Sequence, residues 1–222
     1  MHVIRPVTAD NISVSHAARI LRAGGVVAFP TETYYGLAAD PFNPSALARL
    51  FQVKQRPRQL PILVLVENSS QLKLFTSTVP VMYHLLIDTF WPGPLTLIFQ
   101  ALPTLPDQLT GKTGTVGIRY SPNPTANALI QAFNSPITAT SANISGLPAA
   151  TSAEEISQMF VDGIDLILDG GPTPGGSGST LVGLDKGRLV CIRKGQIDFA
   201  RIKRCADRLF ESLREYSGDD YE

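Results

Sequence analysis

Cysteine is almost missing from this 222-residue chain. Cys191 and Cys205 are the only two, and neither has a second cysteine or a histidine at metal-ligand spacing. A disulfide scaffold needs far more, so both read as free thiols in a reducing, cytoplasmic setting. Histidine is scarce too: His2, His16 and His84 lie far apart, which excludes zinc spacing and a Cys-His nucleophile. No GxSxG elbow occurs. Charge is sparse at 17% and balanced, nineteen basic against nineteen acidic side chains. A bulk field that grips nucleic acid or an acidic membrane is therefore excluded, and anion binding must come from a local cluster. No apolar run approaches the roughly 18 residues of a membrane helix. The opening MHVIRPVTADN has no apolar stretch of the secretory kind.

Apolar residues, by contrast, make up 44% of the chain. That is enough for a sizeable core, and the length predicts one domain over 1–222. Val14, Ala17, Ala18 and Leu21 recur at helical spacing, and Gly24-Gly25 stop that helix. Asn43-Pro44 and Asn123-Pro124 each read as an N-cap followed by proline at the first helical position. Ser152 and Glu155 form a capping-box pattern. A helix over 79–89 ends at WPGP. The last helix, about 198–214, carries Phe199, Ile202, Ala206, Leu209 and Leu213 on one face before the acidic tail SGDDYE. Short β-rich runs fall at 26–29, 62–66, 95–101, 115–119, 137–140, 166–168 and 189–192. Strands alternating with helices define an α/β fold around one mixed β-sheet.

Four loops leave predicted strand ends, where ligands of α/β sheets sit. PTETYYGL from Pro30 offers Thr31, Glu32 and Thr33. KQRPR at 54–58 puts three cations in five residues. TSANISG at 140–146 is dense in short hydrogen-bonding side chains, and GGPTPGGSGST at 170–180 precedes a strand ending in Arg193-Lys194-Gly195. Singly, most of these are ordinary turns or solvated loops. Together they describe an anion site with cations, hydroxyls and bare backbone but no nucleophile, which suits a polyphosphate. PDQLTGKT at 106–113 imitates a P-loop, but Pro106 replaces the first glycine and a strand follows instead of a helix, so it reads as a turn.

FPTETYYGL, KQRP, WPGPLT, TVGIR, TSANISG, GST and IRKG occur in the order found in the YrdC family of L-threonylcarbamoyladenylate synthases, which the chain resembles over about 13–196. The resemblance implies a YrdC-like, DHBP synthase-like fold: a twisted mixed β-sheet whose flanking helices enclose a large, positively lined concave cavity. It also implies a reaction, in which L-threonine, bicarbonate and ATP give threonylcarbamoyl-AMP and pyrophosphate for N6-threonylcarbamoyladenosine in tRNA. Lys54 and Arg56 would be catalytic and would bind ATP with Thr115, Ser141, Asn143 and Arg193. Threonine would meet Thr31, Thr33, Arg119 and Ser179. Mg2+ would arrive with ATP, with no tightly bound protein metal. The product would pass to a tRNA threonylcarbamoyl transferase complex, and contact with tRNA or double-stranded RNA is implied; a membrane is not.

The chain departs from the family pattern where many members carry Asn and His, placing Leu60 and Leu65 there instead; YGLG becomes YGLA, with Ala38. If residue 65 faces the cavity, Leu65 puts an apolar wall where a donor would stand. The chain also stops short of the longer members' extra C-terminal domain. Two other readings stay open: an RNA-binding or translation-associated protein using the same basic cavity, and a nucleotide-binding paralogue with a different acceptor.

Overall fold

The computed structural model describes residues 5–216 apart from Arg58, with backbone alone over 208–216. The acidic tail, the side chains of Leu209 and Leu213, and the last arginine of KQRPR lie outside the described residues. In chain order the elements are β1 (Val7–Thr8), α1 (Asn11–Arg22), β2 (Val27–Phe29), β3 (Gly36–Ala38), α2 (Pro44–Lys54), β4 (Val64–Leu65), a 3-10 helix (Ser69–Leu74), α3 (Val81–Phe90) and β5 (Leu95–Gln100). Then come α4 (Asp107–Thr110), β6 (Thr115–Arg119), α5 (Pro124–Phe133), β7 (Ile137–Thr138), β8 (Thr140–Ser141), α6 (Ala153–Met159), β9 (Leu166–Asp169), β10 (Thr180–Asp185), β11 (Arg188–Arg193) and α7 (Phe199–Tyr216).

The helix starts follow their caps. The side chains of Asn43 and Asn123 each accept two backbone N–H groups of the first turn, with proline just inside. Ser152 Oγ accepts the Glu155 N–H at 3.2 Å. The return half of the capping box goes elsewhere, because the Glu155 carboxylate takes the Thr151 N–H at 2.7 Å.

The mixed α/β architecture is divided between two sheets, one ordered β1-β9-β2-β3-β8 and the other β11-β10-β5-β6-β4-β7. Each contains parallel and antiparallel pairs. Residues 137–141 join them: Ile137 and Thr138 pair with β4, and two residues on Thr140 and Ser141 pair with β3. Thr138 seals the junction. Its hydroxyl donates to the Leu37 carbonyl at 3.0 Å and accepts the Ala39 N–H at 2.8 Å. Each sheet therefore shares an edge with the same short segment, which is why one continuous β run in the sequence serves two sheets.

Two apolar cores result. The larger packs α2, α3, α6 and the inner residues of β5, β6 and β10 around Phe75, Tyr83 and Phe99. The smaller gathers Val14, Leu21, Phe29, Leu65, Leu129, Ile130 and Ile137 beneath α1 and α5. Helix α7 lies on α3, burying Ile202 and Ala206 and placing the Arg201 guanidinium over the Phe90 ring at 5.4 Å. PDQLTGKT is one helical turn ending in left-handed Gly111, as a turn reading requires.

Candidate functional site

A cavity of about 270 Å³ opens where the loop after β2, the end of β6, the 139–143 stretch and the end of β11 meet. Thr31, Thr33, Arg56, Arg119, Ser141, Asn143, Ser179 and Arg193 all line it. Eight side chains from six separate stretches of the chain are thus brought to one place.

The threonine pair carries a directed relay. Thr31 Oγ1 donates to the Tyr34 carbonyl at 2.7 Å, so the 3.0 Å contact between the two hydroxyls has Thr33 as donor. Thr33 Oγ1 is then free to accept from Arg119 Nη1, 3.4 Å away. Arg119 is only 4% exposed, and burial pushes its guanidinium below the ordinary arginine value, with Glu32 opposing that.

Arg56 and Arg193 complete the charge. Arg56 Nη2 donates to the Pro61 carbonyl at 2.9 Å. Arg193 reaches in from the exposed edge strand and donates to the Ser179 carbonyl at 3.0 Å and hydroxyl at 3.1 Å. Both are pushed down by burial first and then by a neighbouring guanidinium, Arg193 for Arg56 and Arg119 for Arg193. Three cations therefore repel one another across the cavity. The buried Nε atoms of Arg56 and Arg119 have no partner. An arrangement of this kind is satisfied by a ligand with several negative oxygens.

Lys54 has a different place from the one its motif suggests. It is 2% exposed and does not line the cavity. Its ammonium donates to the Ser141 carbonyl, to the Asn143 carbonyl at 2.9 Å and to Asn143 Oδ1 at 2.9 Å. All three donors are used. Burial, then the charge of Arg56, pushes it from 10.5 to about 7. Lys54 thus braces the 141–143 wall from behind, with its ammonium turned to those oxygens. Asn143 Oδ1 also accepts from Ser141 Oγ at 2.7 Å, and its Nδ2 donates to the Leu147 carbonyl at 2.6 Å. Thr115 is not among the residues that line the cavity. It opens β6, about 13 Å along the strand from Arg119, and its hydroxyl pairs with Thr113 at 2.8 Å.

Leu65 does not stand on the cavity wall. It pairs in register with Arg119 but is 0% exposed and packed in the smaller core. Leu63 is the residue of that run on the cavity wall. It can lean there because a Cβ on Gly117 would come within 2.5 Å of Leu63 Cδ2, space only glycine leaves free. Leu60 is 46% exposed and outside the cavity lining. Tyr34, Leu63, Leu147 and Ser177 also contribute to the wall. Their only signal in the sequence was proximity to a polar loop.

Fold and cavity define an α/β protein with an open-mouthed cavity lined by three guanidiniums, one of them buried. The Sua5, YciO and YrdC family model, described as "Telomere recombination", matches residues 19–195, and the chain belongs to that family. A threonylcarbamoyl-AMP synthase of Bacillus subtilis is 39% identical over 197 residues, covering 88% of this chain and 57% of the relative. The crystal structure of Pyrococcus abyssi Sua5 complexed with L-threonine superposes with a TM-score of 0.85 at 36% identity, covering 88% of this chain and 58% of that one. Escherichia coli YciO superposes with a TM-score of 0.76 at 28% identity, covering 88% and 95%. The chain spans a little over half the length of the Bacillus and Pyrococcus curated relatives. No helix among the described residues is long and apolar enough to cross a membrane.

Proposed function

We propose that this protein is an L-threonylcarbamoyl-AMP synthase, a nucleotidyltransferase working in the cytoplasm. The observation that carries the proposal is the meeting of Arg56, Arg119 and Arg193 in one cavity with two unpartnered buried Nε atoms. Relatives named for this activity, and a solved relative holding L-threonine, support it.

In this reading Arg119 receives the threonine carboxylate, while Arg56 and Arg193 receive ATP phosphates. The threonine amine adds to the carbon of bicarbonate with loss of water, giving a carbamate. A carbamate oxygen then attacks the α-phosphorus, the bond to the bridging oxygen breaks, and pyrophosphate leaves. Charge builds on the departing phosphates, where fixed guanidiniums neutralise it without reorganising. Ser141, Asn143 and Ser179 offer short polar contacts around the nucleotide and substrate. Mg2+ travels with the triphosphate in this scheme; the described residues hold no group of three His, Cys, Asp or Glu side chains for a metal. The product would supply a tRNA threonylcarbamoyl transferase complex.

The test is pyrophosphate release from ATP, Mg2+, bicarbonate and L-threonine. Release should need threonine and bicarbonate together, with threonylcarbamoyl-AMP as the second product. Equal release without threonine would overturn the proposal.

A further inference from the structure

Three guanidiniums converge on the cavity, but the carboxylate beside them is off its wall. Glu32 follows Thr31 in the loop after β2, and its side chain is 12% exposed. Its Oε2 accepts a hydrogen bond from Ser121 Oγ. Ser121 is fully buried and itself accepts the N–H of Asn123, the cap of α5, at 3.2 Å. Its Oε1 stands 3.1 Å from Arg119 Nη1 as an ion pair, off the hydrogen-bond axis. The Nη1 group of Arg119 is thus committed to Glu32 and Thr33, and its Nε is buried without a hydrogen-bond partner among the described residues.

Arg56 and Arg193 are held otherwise. Their partners are the Pro61 carbonyl and the carbonyl and hydroxyl of Ser179, none of them charged. The cavity therefore has two unlike corners: a neutralised ion pair at Arg119 and a doubly positive corner at Arg56 and Arg193.

We propose that Glu32 is the positioning and specificity-determining residue that reserves Arg119 for a monoanionic carboxylate and leaves polyphosphate to Arg56 and Arg193. Glu32 cancels the net charge of Arg119, so a carboxylate is held there by oriented hydrogen bonds, while a phosphate of two negative charges forgoes the net attraction that Arg56 and Arg193 offer it. Without that counter-charge, Arg119 would take phosphate oxygens as readily as its neighbours do, and the amino acid would lose its corner. This inference rests on the reading that Arg119 receives the threonine carboxylate.

Calorimetric titration of the full chain with L-threonine, ATP and inorganic phosphate tests it, with melting curves to confirm folding. In Glu32→Gln, threonine affinity should fall about tenfold, the scale of one hydrogen bond to a charged group. ATP affinity should hold or rise, and inorganic phosphate should begin to compete with threonine. Ser121→Ala keeps the charge but loosens the carboxylate, so threonine should weaken while phosphate still fails to compete. Parallel losses for threonine and ATP in either variant would overturn the proposal. So would absence of phosphate competition in a folded Glu32→Gln. If the wild type binds ATP but no threonine, the proposed activity fails separately; a gain in phosphate affinity from wild type to Glu32→Gln would still support the charge assignment, and no gain would overturn it.

Discussion

Lys54 and Asn143 hold each other in place through buried bonds, and the chemistry of the wall depends on them. Replacing Lys54 with Met keeps much of the volume but orphans acceptors at Ser141 and Asn143, at a cost of about 1–3 kcal/mol. Melting temperature and ATP affinity should both fall. The ammonium adds a pH signature. Its folded value is about 7 against 10.5 for the free group, so both states carry the proton below 7. Between 7 and 10.5 the unfolded chain keeps a proton that the folded chain has released, and stability from this group rises with pH. The stability gap between wild type and Lys54→Met should widen across that window, read by denaturant melts. Leu65 makes the opposite case. Introducing histidine there buries a polar ring in an apolar core, so Leu65→His should lose about 1–3 kcal/mol with no gain in threonine affinity. Tighter threonine binding at unchanged melting temperature would return residue 65 to the cavity.

Among elements, residues 137–141 matter out of proportion to their length. Thr138 is fully buried and satisfies the Leu37 carbonyl of β3 and the Ala39 N–H just beyond it. Thr138→Val preserves shape but leaves both unpaired, costing about 2 kcal/mol, or roughly 4–8 °C in melting temperature for a chain of this size. Because Thr31 and Thr33 hang from one sheet and Arg119 from the other, threonine affinity should weaken with it; full affinity in a destabilised variant would separate the junction from the site. Caps at Asn43, Asn123 and Ser152 were legible because their chemistry is local. In the β10–β11 hairpin only the second strand was legible, as the run 189–192. Gly183 interrupts the apolar run of the first, and the turn is Lys186-Gly187, with positive φ at both residues and a lysine where asparagine would have signalled it. Strands of two or three residues such as β1 and β3 leave too short a pattern to read. The bonds that Lys54 makes behind the wall were hidden for a related reason: a lysine at the last turn of a helix looks the same in sequence whether it meets water or three buried oxygens.

At the scale of the molecule, zero net charge coexists with a cavity where three guanidiniums meet, because Glu32 is the one carboxylate paired there and most of the other acidic side chains lie away from it. Composition therefore reported the average and concealed the site, while the order of polar loops along the chain revealed most of it. What composition could not show is that the two sheets share a seam. A shared strand segment ties their edges together, so the wall able to yield without parting a sheet is the glycine loop of 170–179. That loop is fastened chiefly through its own backbone: the Gly175 N–H to the Thr33 carbonyl at 2.6 Å, the Gly178 carbonyl to the Gln196 N–H at 2.8 Å, and the Gly176 carbonyl to the Tyr34 hydroxyl. Gly175, Gly176 and Gly178 hold positive φ, a conformation open to few other residues. The fastening is written in backbone shape rather than in side-chain identity. A side chain added at any of these three glycines would strain the closure, whatever space surrounds it.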